Sequence, residues 1–243
     1  MRALLPAAAG EVDLDAAYAV PASRWVRANV VSSADGGAEI GGRSGPLGGP
    51  ADRRVFGLLR QLADVVLVGA GTVRAEGYGP VRMPPARRAA RQAAGLAPVP
   101  PVAVVSARLD LDPSSVLFTE AEARPIVLTG GGSPADRRAR LGELADVIVR
   151  GDGAVDAAAA LEALAARGLG RVLCEGGPSL LGTLARDGLL DEMCVTLAPL
   201  LAGPDHLRVV EGARWPTPRR LRLAHVLEED GALFLRYQAA EGT

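Results

Sequence analysis

A short glycine-rich junction in the last third of the sequence has the composition of an anion-binding site. The segment "LCEGGPSLLGTLARDG", residues 173–188, runs from apolar residues to an acid, two glycines and a proline. Glycine permits a tight turn without Cβ obstruction, and proline is favoured at the first position of a helix. We therefore predict a strand ending at Glu175, a turn at Gly176 and Gly177, and a helix beginning at Pro178. The unpaired amides that open such a helix attract phosphate, although a plain connection is the alternative.

A second glycine-bearing strand end favours the phosphate interpretation. The stretch "VLVGAGTVRAEGYGP", residues 66–80, also passes from an apolar run into glycine and threonine. In open α/β sheets, ligands collect beyond the carboxyl ends of the strands. The glycine spacing of a Rossmann fingerprint is absent from both stretches. Two such strand ends indicate an elongated ligand that carries phosphates.

The residue types available for catalysis are few. All 27 basic residues are arginine, so Schiff-base chemistry and a Walker-type loop have no lysine to use. The two histidines, His206 and His225, have neither the spacing of a metal pair nor an accompanying G-x-S-x-G nucleophile motif. We expect no metal site, and we expect any difficult chemistry to belong to a bound cofactor.

Composition excludes several classes of partner and location. The formal net charge is −1, so no positive excess exists to neutralise a nucleic acid backbone or bind an anionic membrane. No apolar run approaches the ~20 residues of a membrane span. The opening segment is followed by acidic Glu11, Asp13 and Asp15, which is atypical of a signal peptide. Cys174 and Cys194 lie in apolar runs and are read as buried thiols of a cytoplasmic protein.

The elements that must position these groups follow an α/β order. Short β-branched runs are typical of parallel strands buried on both faces; they are "RWVRANVV", "ADVVLVG", "PVAVV", "PIVLT", "ADVIV" and "RVLCE". A helix is predicted from Pro50 to near Asp64, with its apolar stripe at Val55, Leu58, Leu59 and Leu62. A second is predicted over residues 157–167, with Gly168 as its left-handed stop. After Asp191, consecutive strands without helices predict an antiparallel edge.

The chain is interpreted as one domain over residues 1–243. Residues 1–22 form an N-terminal extension, and the Pro/Ala/Arg-rich stretch over about residues 79–100 is a surface excursion with a short helix, a candidate lid. The apolar late strands suggest a homodimer formed near that edge of the sheet.

Three motifs in order resemble the pyrimidine reductase family of bacterial riboflavin biosynthesis. "SADG" at residues 33–36 resembles S-L-D-G, and "VGAGTVRAEGYGPVR" resembles G-x-G-T-V-x-A-D-D-P. "VLCEGGPSLLGTLARDGLLDE" resembles V-E-G-G-P-x-L followed by G-L-V-D-E. The resemblance covers the chain from about Trp25 to Leu235. It implies the three-layer dihydrofolate reductase-like fold, with a twisted, mostly parallel sheet, antiparallel C-terminal strands and helices on both faces.

The resemblance also implies an activity and a set of site residues. The activity is reduction of a ribosylamino-pyrimidine phosphate, such as 5-amino-6-ribosylamino-pyrimidinedione 5′-phosphate, by hydride from NADPH. Carried over by position, the residues that line the cofactor are Val31, Pro46, Thr72, Glu76 and Ser106, and those at its pyrophosphate are Gly176, Gly177, Pro178, Ser179, Leu180, Leu181, Gly182 and Thr183. The substrate-binding positions are Asn29, Ser44, Arg60, Arg82 and Glu175. The two arginines would bind the substrate phosphate through charge-assisted hydrogen bonds. Glu76 is nominated to organise the proton donor, with Glu175 second.

Three departures from the family pattern keep other functions open. The zinc deaminase domain that many members carry is missing from this sequence, so deamination is not predicted. Many members have lysine where this chain has Asn29, and A-D-D-P becomes Ala75-Glu76-Gly77-Tyr78. One alternative is a dihydrofolate or dihydropteridine-type reductase on the same fold. The other is a protein that binds NADPH without turnover, as a sensor or assembly subunit.

Overall fold

A computed structural model describes residues 1–6, 9–204, 206–212 and 214–240. The chain divides into two units. The first consists of Met1–Leu59 and Cys174–Thr243, and the second consists of Arg60–Leu173.

The elements follow in chain order as β1 Arg2–Leu5, β2 Ala9–Glu11, α1 Leu14–Ala17, β3 Trp25–Ser33, a 3₁₀ turn Gly45–Leu47, α2 Pro50–Leu62, β4 Val65–Gly69, α3 Ala70–Glu76, α4 Pro85–Ala93, β5 Val102–Val105, α5 Val116–Thr119, β6 Ile126–Thr129, α6 Ala135–Gly142, β7 Asp146–Val149, α7 Ala157–Ala165, β8 Arg171–Cys174, α8 Pro178–Arg186, β9 Glu192–Ala198, β10 Leu221–Glu229 and β11 Ala232–Ala239.

The second unit contains the parallel strands. Its strand order is β8-β4-β5-β6-β7, and β4 through β7 pair in parallel with their neighbours. Side chains of β4, β5 and β6 are buried almost without interruption, as the continuous apolar runs predicted. Strand β7 differs because it lies at the end of this order, where Asp146 and Val149 are exposed.

The first unit contains the predicted antiparallel strands. Its strand order is β2-β1-β10-β11-β9-β3, in which β3 and β9 are parallel and the other pairs are antiparallel. Residues 2–5, which were assigned to an N-terminal extension, form β1 and pair with β10. The late strand β10 therefore has neighbours on both sides.

Helix α2 begins at Pro50 as predicted and ends at Leu62. Three residues of the predicted stripe, Val55, Leu58 and Leu59, are buried together with Ala51. Periodicity alone located this helix because its apolar residues recur at the spacing of one helical face. The second predicted helix, α7, is also present, and Gly168 takes the left-handed backbone with φ of 76°.

An arginine from the predicted excursion caps the carboxyl end of α2. The Nη1 atom of Arg91, in α4, donates to the carbonyls of Gln61 at 2.8 Å and Ala63 at 2.6 Å. Arg91 is 1% exposed. Burial lowers the pKa of its guanidinium to about 10, which leaves it charged at neutral pH. Helix carbonyls that lack intrahelical partners are thus satisfied by a cation.

A buried ionic cluster holds the strands of the first unit together. The Glu192 carboxylate, at the end of the G-L-V-D-E-like motif, is fully buried between the guanidinium groups of Arg27 and Arg236. Arg27 also donates to the Tyr18 carbonyl, and Arg236 donates to that of Ala17. The cluster therefore connects β3, β9 and β11 to the C-terminal end of α1 and to the residue after it.

Candidate functional site

The glycine junction has the predicted turn and helix start, and its strand ends one residue earlier than predicted. Strand β8 ends at Cys174, directly before Glu175, and α8 begins at Pro178. Gly176 has φ of 95°, and its peptide bond to Gly177 is cis. Gly177 has extended backbone at the N-cap, and no side chain caps the helix start. Backbone amides of the first turn, rather than a capping side chain, are therefore the groups that an anion would meet there.

Two features of α8 serve packing. Leu181 and Leu184 are buried as predicted, whereas Leu180 is only partly buried. A Cβ added at Gly182 would overlap the carbonyl oxygen of Glu211, whose amide donates to the Pro178 carbonyl at 3.1 Å. Glycine at position 182 thus allows the backbone of α8 to approach the backbone of Glu211 closely. The predicted contact of Gly182 with the cofactor does not follow from this packing and stays a prediction.

The first unit also brings several nominated residues of β3 and its neighbours together. Asn29 and Val31 lie on the same face of β3, two residues apart. They are in register with Cys194 and Thr196 of the parallel strand β9. The 3₁₀ turn that contains Pro46 packs against β3, and Ser44 precedes that turn.

The S-A-D-G segment is held by its own aspartate. Asp35 accepts hydrogen bonds from the Ser33 hydroxyl and from the amides of Ala202, at 3.0 Å, and Gly203, at 2.8 Å. The Ser33 hydrogen bond, followed by the two amide bonds, keeps the pKa of Asp35 well below its ordinary value. Asp35 therefore fixes the turn after β3 to the loop after β9.

In the second unit, the nominated groups follow the carboxyl ends of parallel strands. Thr72 and Glu76 lie in α3, which directly follows β4. Gly77 ends that helix with φ of 62°. Ser106 is buried immediately after β5, and its amide donates to the Leu128 carbonyl of β6. This arrangement matches the general position of ligands at parallel strand ends.

The two nominated arginines already have partners in the second unit. Arg60 donates to the Tyr78 hydroxyl at 2.9 Å, and its guanidinium carbon is 5.7 Å from the centre of that ring. Arg82 forms an exposed ion pair with Glu120. A ligand phosphate at Arg82 would therefore compete with a carboxylate.

Two polar groups that lie buried or partly buried were not predicted from the sequence. The Thr129 hydroxyl, at the end of β6, is buried without a hydrogen-bond partner among the described residues. Asp52 is a partly buried acid that binds Thr196. A signal for Asp52 existed, since it continues the helical face of Val55 and Leu59 at i, i+3 and i+7. Thr129 carried no such signal.

The nominated residues divide between the units. Those of the first unit are Asn29, Val31, Ser44, Pro46, Glu175 and residues 176–183, and those of the second are Arg60, Thr72, Glu76, Arg82 and Ser106.

The histidines and cysteines serve the fold. His225 packs edge-on against Tyr18, and burial followed by the charge of Arg236 lowers the His225 pKa to about 4. The imidazole is therefore neutral at pH 7. His206 contacts the Ala202 carbonyl through Nε2. Cys174 and Cys194 are buried free thiols, and burial raises the Cys174 pKa to about 12.

The described residues contain no group of three or more His, Cys, Asp or Glu side chains that could hold a metal ion. None of the helices formed by them has both the length and the apolar character that crossing a bilayer requires.

Comparison with known proteins places these residues in context. A family model described as the RibD C-terminal domain matches residues 24–233. The 2,5-diamino-6-ribosylamino-4(3H)-pyrimidinone 5′-phosphate reductase of Archaeoglobus fulgidus is 29% identical over 187 residues, which are 76% of this chain and 85% of that protein.

Solved structures support the fold. A pyrimidine reductase-like protein from Corynebacterium diphtheriae is 30% identical, with a TM-score of 0.84, over 94% of this chain and 99% of that chain. Dihydrofolate reductase from Enterococcus faecalis is 10% identical, with a TM-score of 0.50, over 89% of this chain and 97% of that chain. The predicted fold class, an α/β dihydrofolate reductase-like fold with antiparallel C-terminal strands, is confirmed.

Proposed function

Because the chain belongs to the RibD C-terminal domain family, we propose that it is an NADPH-dependent reductase of a ribosylamino-pyrimidine 5′-phosphate. The family membership confirms the resemblance given by the three sequence motifs. The observation that carries the proposal is the junction before α8, where Gly176 at positive φ and an uncapped helix start present backbone amides. Such amides suit the pyrophosphate of a dinucleotide.

The nominated cofactor-binding residues include backbone amides and hydroxyl groups of the kind that bind a nicotinamide dinucleotide. In the first unit, Val31, Pro46 and residues 176–183 would hold it, with the pyrophosphate at the start of α8. In the second unit, Thr72, Glu76 and Ser106 would line it, and the unpartnered hydroxyl of Thr129 is a hydrogen-bonding group available at the same strand ends. NADPH, when bound, supplies the hydride.

The remaining nominated side chains would hold and orient the substrate. Arg60 and Arg82 neutralise the substrate phosphate through charge-assisted hydrogen bonds. Asn29, Ser44 and Glu175 orient the heterocycle and ribose, which is a positioning task that can supply several kcal/mol of barrier lowering. Hydride from NADPH would reduce the imine, or the opened sugar, of the substrate, and Glu76 would organise the proton that completes the reduction, with Glu175 as the second candidate.

The proposal also concerns which heterocycle the substrate carries. The Archaeoglobus fulgidus relative is named for a substrate with a 2-amino group. The corresponding pyrimidinedione and a dihydropteridine would use the same cofactor. Homodimerisation and a cytoplasmic location accompany the proposal as predictions.

The activity test is direct. Purified protein and NADPH are incubated separately with the diaminopyrimidinone phosphate, the amino-pyrimidinedione phosphate and dihydrofolate, and the absorbance of the reduced nicotinamide is followed. We expect consumption with a ribosylamino-pyrimidine phosphate and none with dihydrofolate. Consumption with dihydrofolate alone would support the dihydropteridine alternative, and binding of NADPH without consumption would support the sensor alternative.

A glycine substitution tests the cofactor site. Replacing Gly177 with valine places a branched side chain at the N-cap, where the pyrophosphate is expected to approach the backbone. Losing even one charge-assisted hydrogen bond lowers affinity about 10-fold or more. We expect that loss in a fluorescence titration with NADPH. Gly142→Ala is the matched control, because its Cβ would have open space; equal NADPH affinity in wild type and Gly177→Val would remove this assignment.

A further inference from the structure

Tyr78 stands at a departure from the family pattern, because the A-D-D-P motif has proline where this chain has tyrosine. Its backbone is fixed by the end of α3. Gly77 ends that helix with φ of 62°, and the Tyr78 amide donates to the Val73 carbonyl at 3.0 Å. The Tyr78 side chain is partly buried. The resemblance assigns no role to this side chain, so its role must follow from its contacts.

Two parts of the Tyr78 side chain contact Arg60, which lies in the last turn of α2 and is assigned to the substrate phosphate. The Nη2 atom of Arg60 donates to the Tyr78 hydroxyl oxygen at 2.9 Å. The guanidinium carbon is 5.7 Å from the centre of the Tyr78 ring, within the ~6 Å range of cation–π attraction. A long side chain loses rotamer freedom when a ligand immobilises it. A guanidinium that is already held loses less, and it therefore binds its ligand more tightly.

The main chain that carries Arg60 is held as well. The Arg60 and Gln61 carbonyls accept hydrogen bonds of 3.1 and 2.8 Å from Nη1 of Arg91, which is 1% exposed. These carbonyls belong to the last turn of α2, where intrahelical donors are lacking. Arg91 fixes the point from which Arg60 projects, and Tyr78 fixes the end of the side chain. Arg60, Tyr78 and Arg91 all belong to the second unit.

The contacts with Tyr78 orient Arg60 without cancelling its charge. A phenol hydroxyl is an uncharged acceptor, and the ring attracts a cation through its quadrupole. Arg82 differs, because its partner Glu120 is an anion that a phosphate would have to displace. A guanidinium oriented by a neutral partner presents its fork of N–H donors in the geometry that binds phosphate bidentately.

We propose that Tyr78 is a positioning residue that holds the Arg60 guanidinium ready for the substrate phosphate. The proposal rests on the reductase function proposed above, through the assignment of Arg60 to the substrate. Tyr78 acts before the ligand arrives, by reducing the freedom that Arg60 loses on binding. The tyrosine at this departure from the family motif thus strengthens phosphate binding without contacting the phosphate itself.

The test compares wild type with Tyr78→Phe and Tyr78→Ala in steady-state kinetics. Phenylalanine keeps the ring and removes the hydroxyl, so KM for the ribosylamino-pyrimidine phosphate should rise about 3- to 10-fold, as loss of one hydrogen bond does. Alanine also removes the ring, and KM should rise about 10-fold or more. The value of kcat should stay within about twofold, and KM for the dephosphorylated substrate should not change. Tyr237→Phe, on β11, is the matched control and should leave KM unchanged.

A double-mutant cycle separates positioning from a structural role. If Tyr78 acts through Arg60, Tyr78→Phe should have no further effect on KM in the Arg60→Ala background. A merely structural role would give the same loss in both backgrounds and with both the phosphorylated and the dephosphorylated substrate. Either of these results overturns the proposal, and so does a KM of Tyr78→Phe equal to that of wild type. The phenylalanine variant carries the test if Tyr78→Ala fails to fold.

A binding measurement separates this proposal from the reductase function. Ribose 5-phosphate carries the phosphate without the heterocycle, and a phosphorus NMR titration without NADPH measures its affinity. Tyr78→Phe should weaken its binding about 3-fold or more, and Arg60→Ala should weaken it further. Equal affinity in wild type and Tyr78→Phe, or no binding to wild type, overturns the proposal. Failure of all turnover with this dependence on Tyr78 intact would count against the reductase function alone.

Discussion

Replacing Glu192 with glutamine is expected to lower the free energy of unfolding by about 3–5 kcal/mol, because it leaves two buried arginines without their counter-charge. The Glu192 side chain is 0% exposed, and those of Arg27 and Arg236 are 4% and 11% exposed. Urea unfolding of the purified variant at pH 7 measures the effect. Asp146→Asn is the control, since its pair with Arg124 is exposed and such pairs contribute about 0–1 kcal/mol.

The Glu192 effect should also depend on pH. Burial alone would raise the Glu192 pKa, but the hydrogen bond from Arg236 and the charges of Arg27 and Arg236 outweigh it and hold the pKa below the ordinary value. A depressed folded-state pKa gives stability that is present above the unfolded pKa of about 4.3 and is lost as pH falls through the folded value. The difference between wild type and Glu192→Gln should therefore shrink below about pH 4. A difference that stays constant down to pH 2 would contradict the charge explanation.

Replacing Arg60 with alanine is expected to raise KM for a phosphorylated substrate about 10- to 100-fold, the cost of losing charge-assisted hydrogen bonds. The guanidinium is oriented by the Tyr78 hydroxyl and ring and lies near the end of α2 that Arg91 caps. Cofactor affinity should stay unchanged because Arg60 is assigned to the substrate. Steady-state kinetics with phosphorylated and dephosphorylated substrate measure the effect.

The Arg60 prediction has a clear control. Arg88→Ala removes an arginine that pairs with Glu122 and has no assigned ligand; its KM should match that of wild type. If Arg60→Ala raises KM equally for the dephosphorylated substrate, Arg60 does not bind the phosphate. A normal KM for a dihydropteridine would agree with the alternative reductase function.

Local signals in the sequence located most of the elements that surround the candidate site. Pro50 and Pro178 begin helices where predicted, and Gly168 and Gly176 take positive φ. These features depend on the backbone preferences of single proline and glycine residues, so the residue type alone predicts them. The late antiparallel strands were predicted from the absence of helices between them, although their pairing with β1 was not.

Contacts between distant residues account for what the sequence left open. In the sequence, Glu192 is only the last residue of a motif. Its role in the buried charge cluster depends on Arg27 and Arg236, which are 165 and 44 positions away. Arg91 appeared as one arginine of a surface excursion, yet it caps a helix 28 residues or more before it. Asp52 was not singled out in the sequence, and its hydrogen bond of 2.7 Å to Thr196 depends on a residue 144 positions away.

The sequence by itself determined the element order, the glycine junction and the family, because each depends on residue types at short spacing. The tertiary structure alone decided which charged side chains are buried and what they bind. A carboxylate or guanidinium is stabilised in the interior only by partners that folding brings from far along the chain.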